Sequence, residues 1–181
     1  MYISIGVDCG TSEFLKKYNL RHIALPFDWC VTYKGVSEII KNDFISFIPI
    51  NNKINDYGCL FVHNHFPEDN DKIRRRIDRF KNILDTYTDN ITFIRKSHAC
   101  HNHKEFDMIN NDIIDCEELD NVLKEKYPKL KYKIIVVLIC NKCFNENQIY
   151  KTNSNIEIHN ISMSKVDDSK FHNILLNNLK I

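Results

Sequence analysis

The stretch Tyr132-Lys133-Ile134-Ile135-Val136-Val137-Leu138-Ile139 decides how the fold is read. A strand with one wet face alternates apolar and polar residues. Six aliphatic residues in a row suit a strand buried on both faces, as in a parallel sheet covered by helices. Even with Cys140 the run is strand-sized, far short of the roughly 20 apolar residues that a membrane helix needs.

Working outward, residues 2–7, 58–62, 90–95 and 156–162 also read as strands, each carrying apolar residues between polar turns. Segments of helical period lie between them. Residues 13–18 put Phe14, Leu15 and Tyr18 on one face, with Thr11 or Ser12 as the expected N-cap. Residues 36–42 form a short second helix. Residues 71–86 form the clearest one: Ile73, Ile77, Phe80, Ile83 and Leu84 share a face, and Arg74, Arg75, Arg76, Arg79 and Lys81 fall largely on the other. Residues 115–127 and 167–179 complete the set. Strands alternating with helices predict a single α/β domain over residues 1–181, built in three layers as a mostly parallel sheet with helices on both faces.

The chain has 181 residues, 43% apolar and 27% charged, enough for a self-sufficient core. Its formal net charge of +1 offers no electrostatic reason to expect nucleic acid or a membrane as partner. No basic, apolar leader opens the sequence, and the seven cysteines are an odd number, so an intracellular protein without a disulfide framework is expected. Cys30, Cys59 and Cys116 read as small buried hydrophobes.

Parallel sheets bind ligands at the carboxyl ends of their strands. The residues just past each expected strand therefore carry the search for a site. Asp8 and Cys9 follow the first, His63 and His65 the second, and Ser97 and His98 the third. Cys9 is the candidate nucleophile, because a thiol at a helix N-terminus faces unpaired backbone N–H groups. Those of Gly10, Thr11 and Ser12 are the expected oxyanion donors. His63 or His65 is the candidate base. The alternation of an extended chain points the two in opposite directions, so at most one serves Cys9. Asp28 either orients that histidine, as the third member of a triad does, or bonds the turn beside Trp29. Arg95, near the end of a core strand, is expected to reach the site edge and hold an anionic group. The arginines at 74–76 and 79 read as a phosphate or carboxylate grip, or as a solvated helix face. Cys140 and Cys143 have C-x-x-C spacing and, with Cys100, His101 or His103, include ligand types that zinc accepts. A lone pair of this kind is weak evidence, so no cofactor is expected.

Several segments together resemble a known family. They are Ser4-Ile5-Gly6-Val7-Asp8-Cys9, Leu20-Arg21-His22-Ile23-Ala24-Leu25-Pro26-Phe27-Asp28-Trp29, Phe61-Val62-His63-Asn64-His65-Phe66, Arg75-Arg76-Ile77-Asp78-Arg79-Phe80 and Phe93-Ile94-Arg95. Their order and spacing resemble an uncharacterised family labelled papain-like cysteine peptidases, found in bacteria and large DNA viruses. The resemblance covers residues 3–95. It implies Cys9 as nucleophile, a histidine from His63-Asn64-His65 as base and Asp28 as the matching acidic position. The family pattern has one histidine before an acidic residue, where this chain has Asn64 between two histidines. Heavy use of Ile, Asn and Lys suits the A/T-rich genome of a large DNA virus, which would place the protein in host cytoplasm.

A papain-like core puts its histidine on an antiparallel sheet. The element order here gives a parallel one, a geometry that also suits esterases, deacylases and other acyl transferases. The expected activity is thus Cys–His acyl chemistry on a protein or small acyl substrate. The alternatives are a nucleotide- or sugar-dependent transferase in which Arg95 and Arg79 grip a phosphate, a zinc-stabilised domain, and a non-enzymatic viral module that binds a host factor.

Overall fold

The run that opens the sequence reading is the middle strand of a five-stranded sheet. The computed structural model describes residues 1–50, 53–98, 108–140, 149–151, 155–162 and 168–179. In chain order the elements are β1 (Tyr2–Ser4), α1 (Gly10–Lys17), α2 (Ser37–Lys41), α3 (Asn70–Thr86), β2 (Ile91–His98), α4 (Met108–Lys126), β3 (Tyr132–Cys140), β4 (Ile149–Lys151), β5 (Ile156–Ser162) and α5 (Asp168–Leu179). The strand order is β1-β2-β3-β5-β4. Strands β1, β2, β3 and β5 are mutually parallel, and β4 adds a short antiparallel edge.

The two-sided burial of β3 follows residue by residue. Ile134, Val136 and Leu138 pack into one core with residues of α2, α3 and α4. Ile135, Val137 and Ile139 pack into a second core with Phe14 and Leu15 of α1 and Phe171, Leu175 and Leu179 of α5. The period of two thus sorts one strand into two cores, and the fold is the expected three-layer α/β arrangement. Each aliphatic side chain so buried contributes about 1.5–3 kcal/mol relative to exposure. Among the described residues, no helix is long and apolar enough to cross a membrane.

Four local readings are corrected. Residues 58–62 do not form a sheet strand; Leu60 makes single antiparallel bridges to Val31 and Ile54. Gly58 is left-handed at φ +72°, and Asn55 binds the Tyr57 and Cys59 amides, so the run closes a local loop instead of extending. Strand β1 is shorter than residues 2–7, yet its ladder goes on: Ile5 N–H donates to Ile94 O at 2.9 Å and Val7 N–H to Lys96 O at 2.7 Å. Gly6, at φ +94°, breaks the extended geometry between them. Helix α1 begins at Gly10, so Cys9 is its N-cap and Thr11 and Ser12 lie in its first turn. Helix α4 begins before residue 115 because Asp112 is held from the sheet side, a long-range contact that no local pattern encodes.

Candidate active site

The turn between β1 and α1 is built by close approach. At Gly6 a β-carbon would overlap the Thr32 side chain and stand 2.9 Å from Arg95 Nη1, so only glycine fits. Thr32 N–H donates to Val7 O at 2.8 Å. Asp8 Oδ1 then accepts the Gly10 amide at 2.8 Å, and the Cys9 carbonyl accepts from Glu13 at 2.9 Å. This aspartate turn starts α1 early and sets Cys9 at its amino end. Cys9 is half-buried, whereas Cys30, Cys59 and Cys116 are buried as expected. Lys96, at the end of β2, places its ammonium 4.0 Å from Asp8 Oδ2 and 5.2 Å from the centre of the Phe171 ring.

Electrostatics around Cys9 favour the thiol. Partial burial pushes its pKa up, and the Asp8 and Glu13 carboxylates push further, against a smaller lowering by a backbone hydrogen bond. The helix N-terminus does not prevail, because burial disfavours the thiolate and two anions, Asp8 before the helix and Glu13 in its first turn, add to that.

Asp28 is committed to the Pro26-Phe27-Asp28-Trp29 turn. Its Oδ2 accepts from the Leu25 amide and from Arg21 Nε, both at 2.9 Å, and its Oδ1 accepts from Ser12 Oγ at 3.3 Å. It therefore ties the turn to the first turn of α1. Burial raises its pKa, with the Leu25 amide and Arg21 opposing. His63 packs edge-on against Trp29, ring centres 5.8 Å apart, and Arg21 covers the same indole at 5.6 Å. His63 and His65 are exposed on the loop before α3. Between them Asn64 is buried and donates to Asp69 Oδ2 at 2.8 Å. The structure thus brings together Cys9, Gly10, Thr11, Ser12 and Asp28, and joins neither histidine to Cys9 Sγ by a hydrogen bond.

Comparison with known proteins adds one finding. A family model described as "Putative papain-like cysteine peptidase (DUF1796)" matches residues 1–57 and 50–142. The chain belongs to this family. No curated protein and no solved structure matches it significantly. In this DUF1796 chain the matched region holds Cys9, Asp28, both loop histidines, α3 and β2, on a parallel sheet.

Arg95 requires a correction. It does not reach the site edge; it is 0% exposed. Its Nε donates to Asp112 Oδ1 at 2.6 Å, Nη1 to Ile5 O at 2.8 Å and to Thr32 Oγ1 at 3.1 Å, and Nη2 to Thr32 O at 2.9 Å. Asp112 pairs with Nη2 as well and accepts from Ser97 Oγ. With its donors spent on protein acceptors, Arg95 fastens β1, the 32-loop and α4 together and has no donor left for a ligand. Arg76, grouped in the sequence with Arg74, Arg75 and Arg79 as an anion grip or a solvated helix face, differs from Arg74 and Arg75 in its setting. Placed on the polar face of α3, it is instead buried. The signal was present: Arg76 follows Ile73 by three residues and precedes Phe80 by four, within the apolar stripe.

Of the zinc ligand types, Cys140 ends β3, and its side chain lies outside the described residues, as do Cys143, Cys100, His101 and His103. Among the described residues no three potential ligands converge.

Proposed function

We propose that this protein is a cysteine hydrolase or acyl transferase with Cys9 as nucleophile, acting on a protein or small acyl substrate. One observation carries the reading: among the described cysteines Cys9 alone is accessible, at the amino end of α1 and the carboxyl end of a parallel sheet. The family description supports the same chemistry.

In this reading Cys9 Sγ attacks the substrate carbonyl. Its proton passes to a base, and the carbonyl oxygen becomes an oxyanion. Because Asp8 engages the Gly10 amide, the Thr11 and Ser12 amides are the better oxyanion donors. The base then protonates the leaving group. Water or an acceptor alcohol or amine next attacks the thioester and restores the thiol. His63 is favoured over His65 as base, since it packs on Trp29, next to the Asp28 that bonds Ser12. A resting thiol needs such a base, and general-base removal costs about 10²–10⁴-fold in rate.

The test uses a thiol-directed acylating probe at neutral pH, with mass spectrometry of the labelled peptide. Wild type is expected to acylate at Cys9, C9A to lose the label with unchanged circular dichroism, and H63A to slow by two orders of magnitude or more. Acylation of Cys9 no faster than that of a model thiol overturns the reading.

A further inference from the structure

Arg76 is 8% exposed, yet its guanidinium makes no hydrogen bond and no ion pair among the described residues. The fully sealed side-chain nitrogen and oxygen atoms that lack a partner are Ser4 Oγ, Thr11 Oγ1 and Asn70 Oδ1; the Arg76 nitrogens are not among them, so they keep contact with solvent. The stem is buried and the charged tip opens outward.

The surroundings do not explain the charge. Asp28 and Asp69 are the carboxylates that act on Arg76, and Arg21 and Arg79 are the like charges beside it. Asp28 is already bound by Arg21 and the Leu25 amide. Asp69 is bound by Asn64, the His65 amide and Lys72. Arg79 spends only its Nε, on Arg75 O at 3.1 Å. Each carboxylate is thus held by another cation, Asp28 by Arg21 and Asp69 by Lys72, which leaves Arg76 and Arg79 without a carboxylate of their own among the described residues. A charge with little access to water and no counter-ion is costly, and mutual repulsion adds to the cost. Bound anions remove both penalties. Asp28 ties this cluster to the helix of the nucleophile, for it holds Arg21 at 2.9 Å and accepts at 3.3 Å from Ser12 Oγ, three residues after Cys9.

We infer that Arg76, with Arg21 and Arg79, forms a phosphate-binding subsite beside Cys9, with Trp29 and His63 as the wall against which the organic part of a small phosphate monoester lies. A phosphate monoester carries a charge of about −1.5 to −2 at pH 7, matching the two guanidinium charges of Arg76 and Arg79 that remain once Arg21 pairs with Asp28 and Lys72 with Asp69, where a single carboxylate leaves half of it unmet. Guanidinium forks bind phosphate oxygens bidentately, and the flat indole offers a stacking face. That the monoester is the acyl substrate rests on the Cys9 reading; the binding site itself does not.

The test titrates the full chain with inorganic phosphate, and with acetate in parallel, by calorimetry in chloride buffer. Saturable phosphate binding is expected, with acetate at least tenfold weaker. R76M is expected to weaken phosphate at least tenfold, while R75M, altered on the exposed side of the same helix, and C9A bind as wild type. In the wild-type protein, phosphate is expected to protect Arg76 from phenylglyoxal but not Arg75, a readout that stands even if R76M fails to fold. Absence of saturable binding, equal acetate affinity, unchanged binding by folded R76M or lack of protection each overturns the inference. Phosphate binding without acylation of Cys9 would keep the subsite and remove the Cys9 reading; acylation without phosphate binding would do the reverse.

Discussion

Two arginines that are both buried do opposite things in this molecule. Around Arg95, the end of β1, the 32-loop and α4 present Ile5 O, the Thr32 oxygens and Asp112 at bonding distance, with Ser97 closing the set. Around Arg76, the nearby carboxylates are held by other residues, and the guanidinium is left open. The difference teaches that burial alone does not separate structural from functional charge. The satisfied group holds the fold, and the unsatisfied one marks where the fold stores a cost for a ligand to relieve.

The largest expected effect lies in this contrast. R95L leaves Asp112 as an unpaired buried anion and is expected to cost about 3–5 kcal/mol, read from the urea midpoint. R76M removes an unpaired cation and is expected to hold the midpoint within about 1 kcal/mol or raise it, since hydrophobic replacement of a poorly paired buried charge is often neutral or stabilising. A loss for R76M as large as that for R95L would erase the distinction.

A smaller effect probes how tightly the Arg95 side is packed. G6A puts a methyl group against Thr32 and Arg95 Nη1 on a left-handed backbone. The backbone strain alone is expected to cost about 1–3 kcal/mol. Thermal unfolding that shifts by less than a degree would show that the network yields easily.

The smallest effect belongs to the Arg76 side and depends on pH. Hydrogen bonds from Asn64, the His65 amide and Lys72 hold the Asp69 carboxyl down at about 2. Its ionised form is thus favoured by folding. The stability it adds is fully present above the unfolded value of about 3.9 and is lost as pH falls through about 2. Acid titration followed by fluorescence should show D69N with a flatter decline below pH 4 than wild type. An identical acid limb would show that these bonds do not couple to folding.

Much of the fold was legible because it rests on short-range periodicity. The aliphatic run of β3 announced burial on both faces, and the stripe Ile73, Ile77, Phe80, Ile83, Leu84 announced the packed side of α3; all five of these residues are buried. The failures have a common cause. Residues 58–62 carry strand-like residues but close a local loop, and α4 extends toward its start because Asp112 meets Arg95 from the sheet. The candidate site was legible at Cys9, through its place after a strand and before a helix. The histidines were harder to place, because their apparent strand end does not exist.

The sequence by itself determined the layered architecture, the parallel middle of the sheet and the position of Cys9 at its first turn, since each follows from spacing between near neighbours in the chain. Only the tertiary structure decided which charges are spent. Arg95 meets Asp112 17 residues away and Ile5 O 90 residues away, whereas the carboxylates that act on Arg76 are bound elsewhere. Whether a buried guanidinium finds acceptors depends on strand register and on which helix crosses above it. Those are long-range outcomes of packing, and an arginine looks the same in the sequence either way.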